Sequence, residues 1–138
     1  MTQTARPRPG TMRLTDALSY RLPLAGWVSI LHRASGLVMF ILLPFIIWML
    51  DNSLTSEISY GVFKSAFAAG IGFIPAWFVK VVVLALIWSY LHHFIAGLRH
   101  LWMDATHAVT KEFGHQSAVA TLSLSILLTL VLGYRLFF

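Results

Sequence analysis

The chain contains no cysteine. It can form no disulfide and hold no cysteine-ligated iron–sulfur cluster, so a redox group bound by its own side chains would need histidine or methionine. Acid is also scarce. Asp and Glu number 5 against 10 Lys and Arg, and charged residues make up only 11% of 138 positions. Soluble domains carry about 25% charged residues. Hydrophobic residues reach 58%, and a unit of this length has too little interior to hide them. There is no glycine-rich phosphate loop and no nucleophile–base signature. The basic residues form no patch interleaved with aromatics, which argues against nucleic acid. What remains is an all-α integral membrane protein of one unit, with no catalytic residues of its own.

Apolar runs divide the chain into residues 1–23, a polar cytoplasmic or interfacial segment, and residues 24–138, a three-helix membrane anchor. Residues 1–10 read as a Pro-rich tail and residues 15–20 as a short interfacial turn. The spans are expected at about 24–50, 76–103 and 117–138. The uncharged core of the first, residues 34–50, would be roughly 25 Å long, close to the thickness of the hydrocarbon layer. Between the first two spans, residues 58–73 suggest a short amphipathic helix on the surface. Residues 106–116 read as a polar connection. Three spans place the termini on opposite sides. Arg6, Arg8, Arg13, Arg21, Arg33, Arg99 and Lys111 then fall on the N-terminal side, and Lys64, Lys80 and Arg135 on the other. The positive-inside rule puts the N-terminus in the cytoplasm, in a bacterial inner membrane. Thr121, Ser123, Ser125 and Thr129 suit contacts between helices.

The chemistry sits near the cytoplasmic ends of the first two spans. Ionisable residues at membrane depth are costly and usually serve a function. His93 lies roughly 10 Å deeper along its helix than His100, on the same face. Imidazole is a common axial ligand of haem iron, and His93 is the first candidate. His92 points about 100° away, toward lipid headgroups or a partner, and is the second choice. His100 suits a propionate or the membrane interface. His93 and His100 cannot oppose each other across one iron, and His32 is too near the interface to do so. A six-coordinate haem would therefore take its other ligand from a partner chain. Ser29 and Arg33, four residues apart, share a helix face. They could donate hydrogen bonds to a quinone oxygen, or they could be a packing serine and a lipid-phosphate arginine. Residue types leave both readings open. Gly36 and Gly97 would let a helix or a flat cofactor come close. Asp104 could pair with Arg99 or His100.

The run Ser29-Ile30-Leu31-His32-Arg33-Ala34-Ser35-Gly36, followed by His93-x3-Gly97-x-Arg99-His100-x3-Asp104, resembles the cytochrome b membrane-anchor subunit of bacterial succinate dehydrogenase (respiratory complex II). The three-span layout extends the resemblance over nearly the whole chain. It implies haem b with His93 as axial ligand, His32 near the propionates, and Ser29 and Arg33 as ubiquinone contacts. It also implies a second small anchor subunit carrying the other axial histidine. A flavoprotein and an iron–sulfur subunit, docked on the cytoplasmic side, would oxidise succinate. The competing expectation is a purely structural anchor without haem, as in some fumarate reductases.

Overall fold

The computed structural model describes residues 21–137. The expected tail and interfacial turn lie outside the described residues. The chain forms α1 (Leu24–Ile41), α2 (Leu43–Leu54), α3 (Glu57–Ala68), α4 (Ala76–Thr106) and α5 (Lys111–Phe137). Three of these, α1, α4 and α5, are long and apolar enough to cross a membrane. In hydrocarbon every backbone N–H and C=O must find its partner within the chain, and a helix meets that demand by itself.

Two of the spans start directly after a proline. Pro23 and Pro75 are extended N-cap residues, with ψ near 156° and 152°. Their carbonyls accept the first helical N–H groups, from Gly26 and Trp27 in α1 and from Phe78 and Val79 in α4. Proline at a helix entrance loses nothing, because those early N–H groups have no intrahelical partner.

The first span is not one helix running to Leu50. It breaks at Leu42, where φ is −87° and ψ is 4°. Pro44 is the cause. It has no N–H to donate, and its ring would collide with the carbonyl four residues back. The chain restarts as α2, which runs past Asp51, Asn52 and Ser53. Asn52 and Ser53 donate to carbonyls of the preceding turn, Trp48 at 2.9 Å and Leu50 at 2.8 Å.

The expected surface helix is α3. Its start is a capping box: the Ser59 N–H donates to Ser56 Oγ at 3.1 Å and the Ser56 N–H to Ser59 Oγ at 2.9 Å. A tight turn follows. Ile71 and Ile74 exchange two backbone hydrogen bonds of 2.9 Å around Gly72 and Phe73. Gly70 enters this turn at φ +98°, and a Cβ there would run into the Ile74 carbonyl oxygen.

The last span begins six residues earlier than expected. The Phe113 N–H donates to Thr110 Oγ1 at 3.2 Å, which caps α5 at residues read as loop. The connection shrinks to a few residues. It turns at His107, whose φ of 53° is left-handed.

α4 is the central helix and packs on both α1 and α5. Val28, Ala96 and Ala118 meet where the three helices converge. On α5 the buried positions are Ala118, Thr121, Ser125, Thr129 and Gly133, a stripe of small residues recurring about every four. Small residues bring helix backbones close, which replaces the hydrophobic driving force that lipid removes. Ser123 falls between these positions and is exposed, contrary to the expected helix contact. The hydroxyls are satisfied inside the helix, as in Thr121 to the Ser117 carbonyl at 2.8 Å and Thr129 to the Ser125 carbonyl at 2.7 Å. Away from the histidines, α2 and α3 leave an apolar cavity of about 520 Å³, lined by Met39, Ile46, Phe63, Ile87 and Leu91 among others.

Gly70→Ala should lower the stability of the purified, detergent-solubilised protein by about 1–3 kcal/mol, the usual cost of a strained backbone. Thermal unfolding beside Gly61→Ala, whose Cβ would meet nothing within 4 Å, measures it.

Candidate functional site

Adjacent residues on a helix point about 100° apart. On α4 this sends His92 and His93 to different neighbours. His92 is fully buried and faces α5, with Nδ1 3.2 Å from Ser125 Oγ and its ring stacked on Trp88 at 5.2 Å. The Ser125 hydroxyl also lies 3.1 Å from the Leu122 carbonyl of its own helix, so Ser125 ties the His92 ring to the α5 backbone. Among the described residues no close hydrogen bond engages the buried Nε2, and on the α1 side the ring interacts with the Val28 backbone. The expected orientation of His92 toward headgroups or a partner chain is therefore wrong. The helical turn carries it into the bundle, where no large flat ligand can reach it.

His93 faces α1 and is half-buried. Its Nδ1 lies 2.9 Å from the His32 carbonyl oxygen and 3.3 Å from Ser35 Oγ. A carbonyl can only accept, so Nδ1 carries the proton. In the neutral ring Nε2 is then a bare lone pair. Among the described residues no hydrogen bond engages it. This is the arrangement by which proteins fix the tautomer of a metal-binding histidine, with one nitrogen tied to a carbonyl and the other presented to the metal.

The close fit depends on Gly36. A Cβ there would lie 2.9 Å from His93 Cε1 and 3.2 Å from Nδ1, closer than ordinary contact. Gly97 is less constrained within this chain, since its Cβ would sit 3.7 Å from His32 Nε2.

His32 stacks on His93, with ring centroids 4.2 Å apart and planes 28° from parallel. On its other side it lies 5.3 Å from the His100 ring. The three histidines thus form one cluster across α1 and α4, with His32 bridging the two turns that separate the others. Ser29 sits one turn before Arg33 on α1. Ser29 is half-buried and Arg33 exposed, and Arg33 directly follows His32 on the helix.

Arg99 does not join it. The side chain is buried and donates from Nε to Ser117 Oγ at 2.9 Å and from Nη2 to the Gly114 carbonyl at 3.3 Å. It fastens the first turns of α5 to α4. Asp104 is exposed, and among the described residues no ion pair joins it to Arg99.

Over residues 6–132 the chain matches the family described as succinate dehydrogenase/fumarate reductase transmembrane subunit. The chain belongs to that family. Its curated relatives include the succinate dehydrogenase cytochrome b556 subunit of Paracoccus denitrificans, 33% identical over 112 residues that cover 81% of each chain. The cytochrome b560 subunit of Reclinomonas americana is 32% identical over 114 residues, covering 81% of this chain and 76% of the relative. That of Coxiella burnetii, a cytochrome b556 subunit, is 28% identical over 119 residues, covering 86% and 90%. These findings agree with the resemblance carried by the two histidine motifs. In this family the transmembrane subunit is a non-catalytic part of a larger complex, which fits a chain of apolar spans without a nucleophile–base pair.

Ser35 and the His32 carbonyl were missed as partners of His93. Ser35 stood in the quoted motif, but nothing in the spacing joins it to a residue 58 positions away.

Gly36→Ala should displace the His93 ring and weaken its hydrogen bond to the His32 carbonyl. Imidazole NMR resonances of the purified, detergent-solubilised protein read this directly.

Proposed function

We propose that the chain is the cytochrome b anchor subunit of a succinate:quinone oxidoreductase, holding haem b through His93 Nε2 and lining a ubiquinone site with Ser29 and Arg33. The observation that carries this reading is the His93 tautomer: Nδ1 is committed to the His32 carbonyl, and Nε2 is left as a lone pair on a half-exposed face. Among the described residues no three His, Asp or Glu side chains converge to chelate a bare metal ion. A macrocycle that brings its own four nitrogens needs only an axial donor, so the donor set fits haem.

A bound haem b supplies one-electron transfer at its iron. The chain's own residues hold and orient. His93 would hold the haem through Nε2, and Gly36 gives the ring its room. His32 and His100 stand beside it as donors for propionate carboxylates. His32, stacked on the face of the His93 ring, is not placed to be a second ligand, and in this reading a histidine of a second small anchor subunit would supply it.

Ser29 and Arg33 present a hydroxyl and a guanidinium on one face of α1. A quinone carbonyl oxygen accepts from both, and the guanidinium stabilises the negative charge that reduction places there. Without cysteine, the chain relies on an iron–sulfur subunit and a flavoprotein subunit to deliver electrons from succinate. The charge asymmetry supports an N-terminus on the cytoplasmic side of a bacterial inner membrane, the side on which these subunits would dock.

His93→Ala should abolish the b-type haem signal of the purified complex, while His92→Ala retains it. A wild-type complex without haem, or a His93→Ala complex that keeps it, would favour the purely structural anchor. Arg33→Leu should lower quinone reduction at least tenfold, consistent with about 1.5–3 kcal/mol for a hydrogen bond from a charged group. Succinate oxidation with an artificial soluble acceptor should stay intact. Equal loss of both activities would mark failed assembly.

A further inference from the structure

The carbonyl oxygen of His32 receives two side-chain donors. His93 Nδ1 approaches it at 2.9 Å and Ser35 Oγ at 2.7 Å. Ser35 is fully buried, and its oxygen also lies 3.3 Å from His93 Nδ1. Serine often donates to the carbonyl of the preceding helical turn, and Ser125 and Thr129 do the same on α5. Ser35 differs because the carbonyl it donates to is the one that holds a ring from another helix.

We infer that Ser35 is a positioning residue for the haem, setting how strongly the His32 carbonyl pulls on the His93 Nδ1 proton and so tuning the iron through its axial ligand. The inference rests on the reading of His93 as that ligand. A stronger hydrogen bond from Nδ1–H makes Nε2 more basic. A more basic ligand stabilises the ferric state, which carries the greater charge, and lowers the reduction potential.

Ser35 acts on this bond in two opposing ways. Its hydroxyl competes for the carbonyl lone pairs, which weakens the bond from His93. Its oxygen also offers Nδ1–H a second acceptor, which strengthens the pull on the proton. The lengths decide between them. The donation to the carbonyl is 2.7 Å, short for a hydroxyl donor, whereas the contact with Nδ1 at 3.3 Å is long for an N–H donor. Competition wins. Ser35 keeps the imidazole less basic and the haem easier to reduce than the carbonyl alone would leave it.

The test is a redox titration of the haem in the whole purified complex. Ser35→Ala should lower the midpoint potential, with haem content and artificial-acceptor succinate oxidation retained. Ser35→Cys, which nearly keeps the volume but donates weakly, should move it in the same direction by less. A potential that is unchanged or raised in a haem-loaded Ser35→Ala complex overturns the inference. If Ser35→Ala loses haem, Ser35→Cys decides by the same criterion, and haem loss from both variants overturns it too. His93→Ala separates the two levels. Haem retained there removes the ligand reading itself. Haem lost there, with an unmoved potential in the Ser35 variants, removes only the role of Ser35.

Discussion

Two neighbouring residues of a helix cannot face the same way, and α4 uses that constraint to divide its labour. His92 turns into the bundle and joins Ser125. His93 turns outward along α1 and joins the His32 carbonyl. The small-residue stripe of α5 and Gly36 of α1 are the two surfaces that make room for these opposite orientations. Rotating α4 by one residue would put His93 against Ser125 and carry the outward position to another side chain. Arg99, bonded to Ser117 and Gly114, adds a second fixed point two turns on, which further restrains that rotation.

The balance of forces differs from that in a soluble bundle. The buried set on α5 is mostly hydroxyl and small residues rather than large aliphatics. In lipid, apolar side chains gain little by turning inward, so Leu124, Leu127 and Leu130 stay outside, while Thr121, Ser125 and Thr129 pack within. Each hydroxyl can do so because it donates to a carbonyl of its own helix.

The three spans were legible because a long apolar run has few alternatives to a membrane helix. The break at Leu42 had its cause in plain view, since Pro44 sits inside the run; charge and length alone do not register it. The start of α5 was obscured by polarity. Thr110, Lys111 and Glu112 look like loop, yet Thr110 is the cap that lets polar residues open a helix. The orientation of His92 was not legible. Helical periodicity gives the angle between His92 and His93 but not the direction in which the pair is rotated, and only packing against α5 supplies that. The partnership of His93 with Ser35 and the His32 carbonyl was hidden for a related reason, because it joins two helices far apart in sequence.

The proline break at Leu42 separates two kinds of membrane interior. On the histidine side, α1, α4 and α5 are bound by side-chain hydrogen bonds to hydroxyls and backbone carbonyls of the neighbouring helix, each needing a particular atom at a particular distance. Beyond the break, α2, α3 and α4 flank an open cavity lined by aliphatic and aromatic groups, where shape is the main requirement. Substitution among apolar residues can be absorbed there by repacking or by a lipid chain. The two halves should therefore diverge at different rates over evolutionary time, with drift concentrated past Leu42 and the α1–α4 contact held nearly constant.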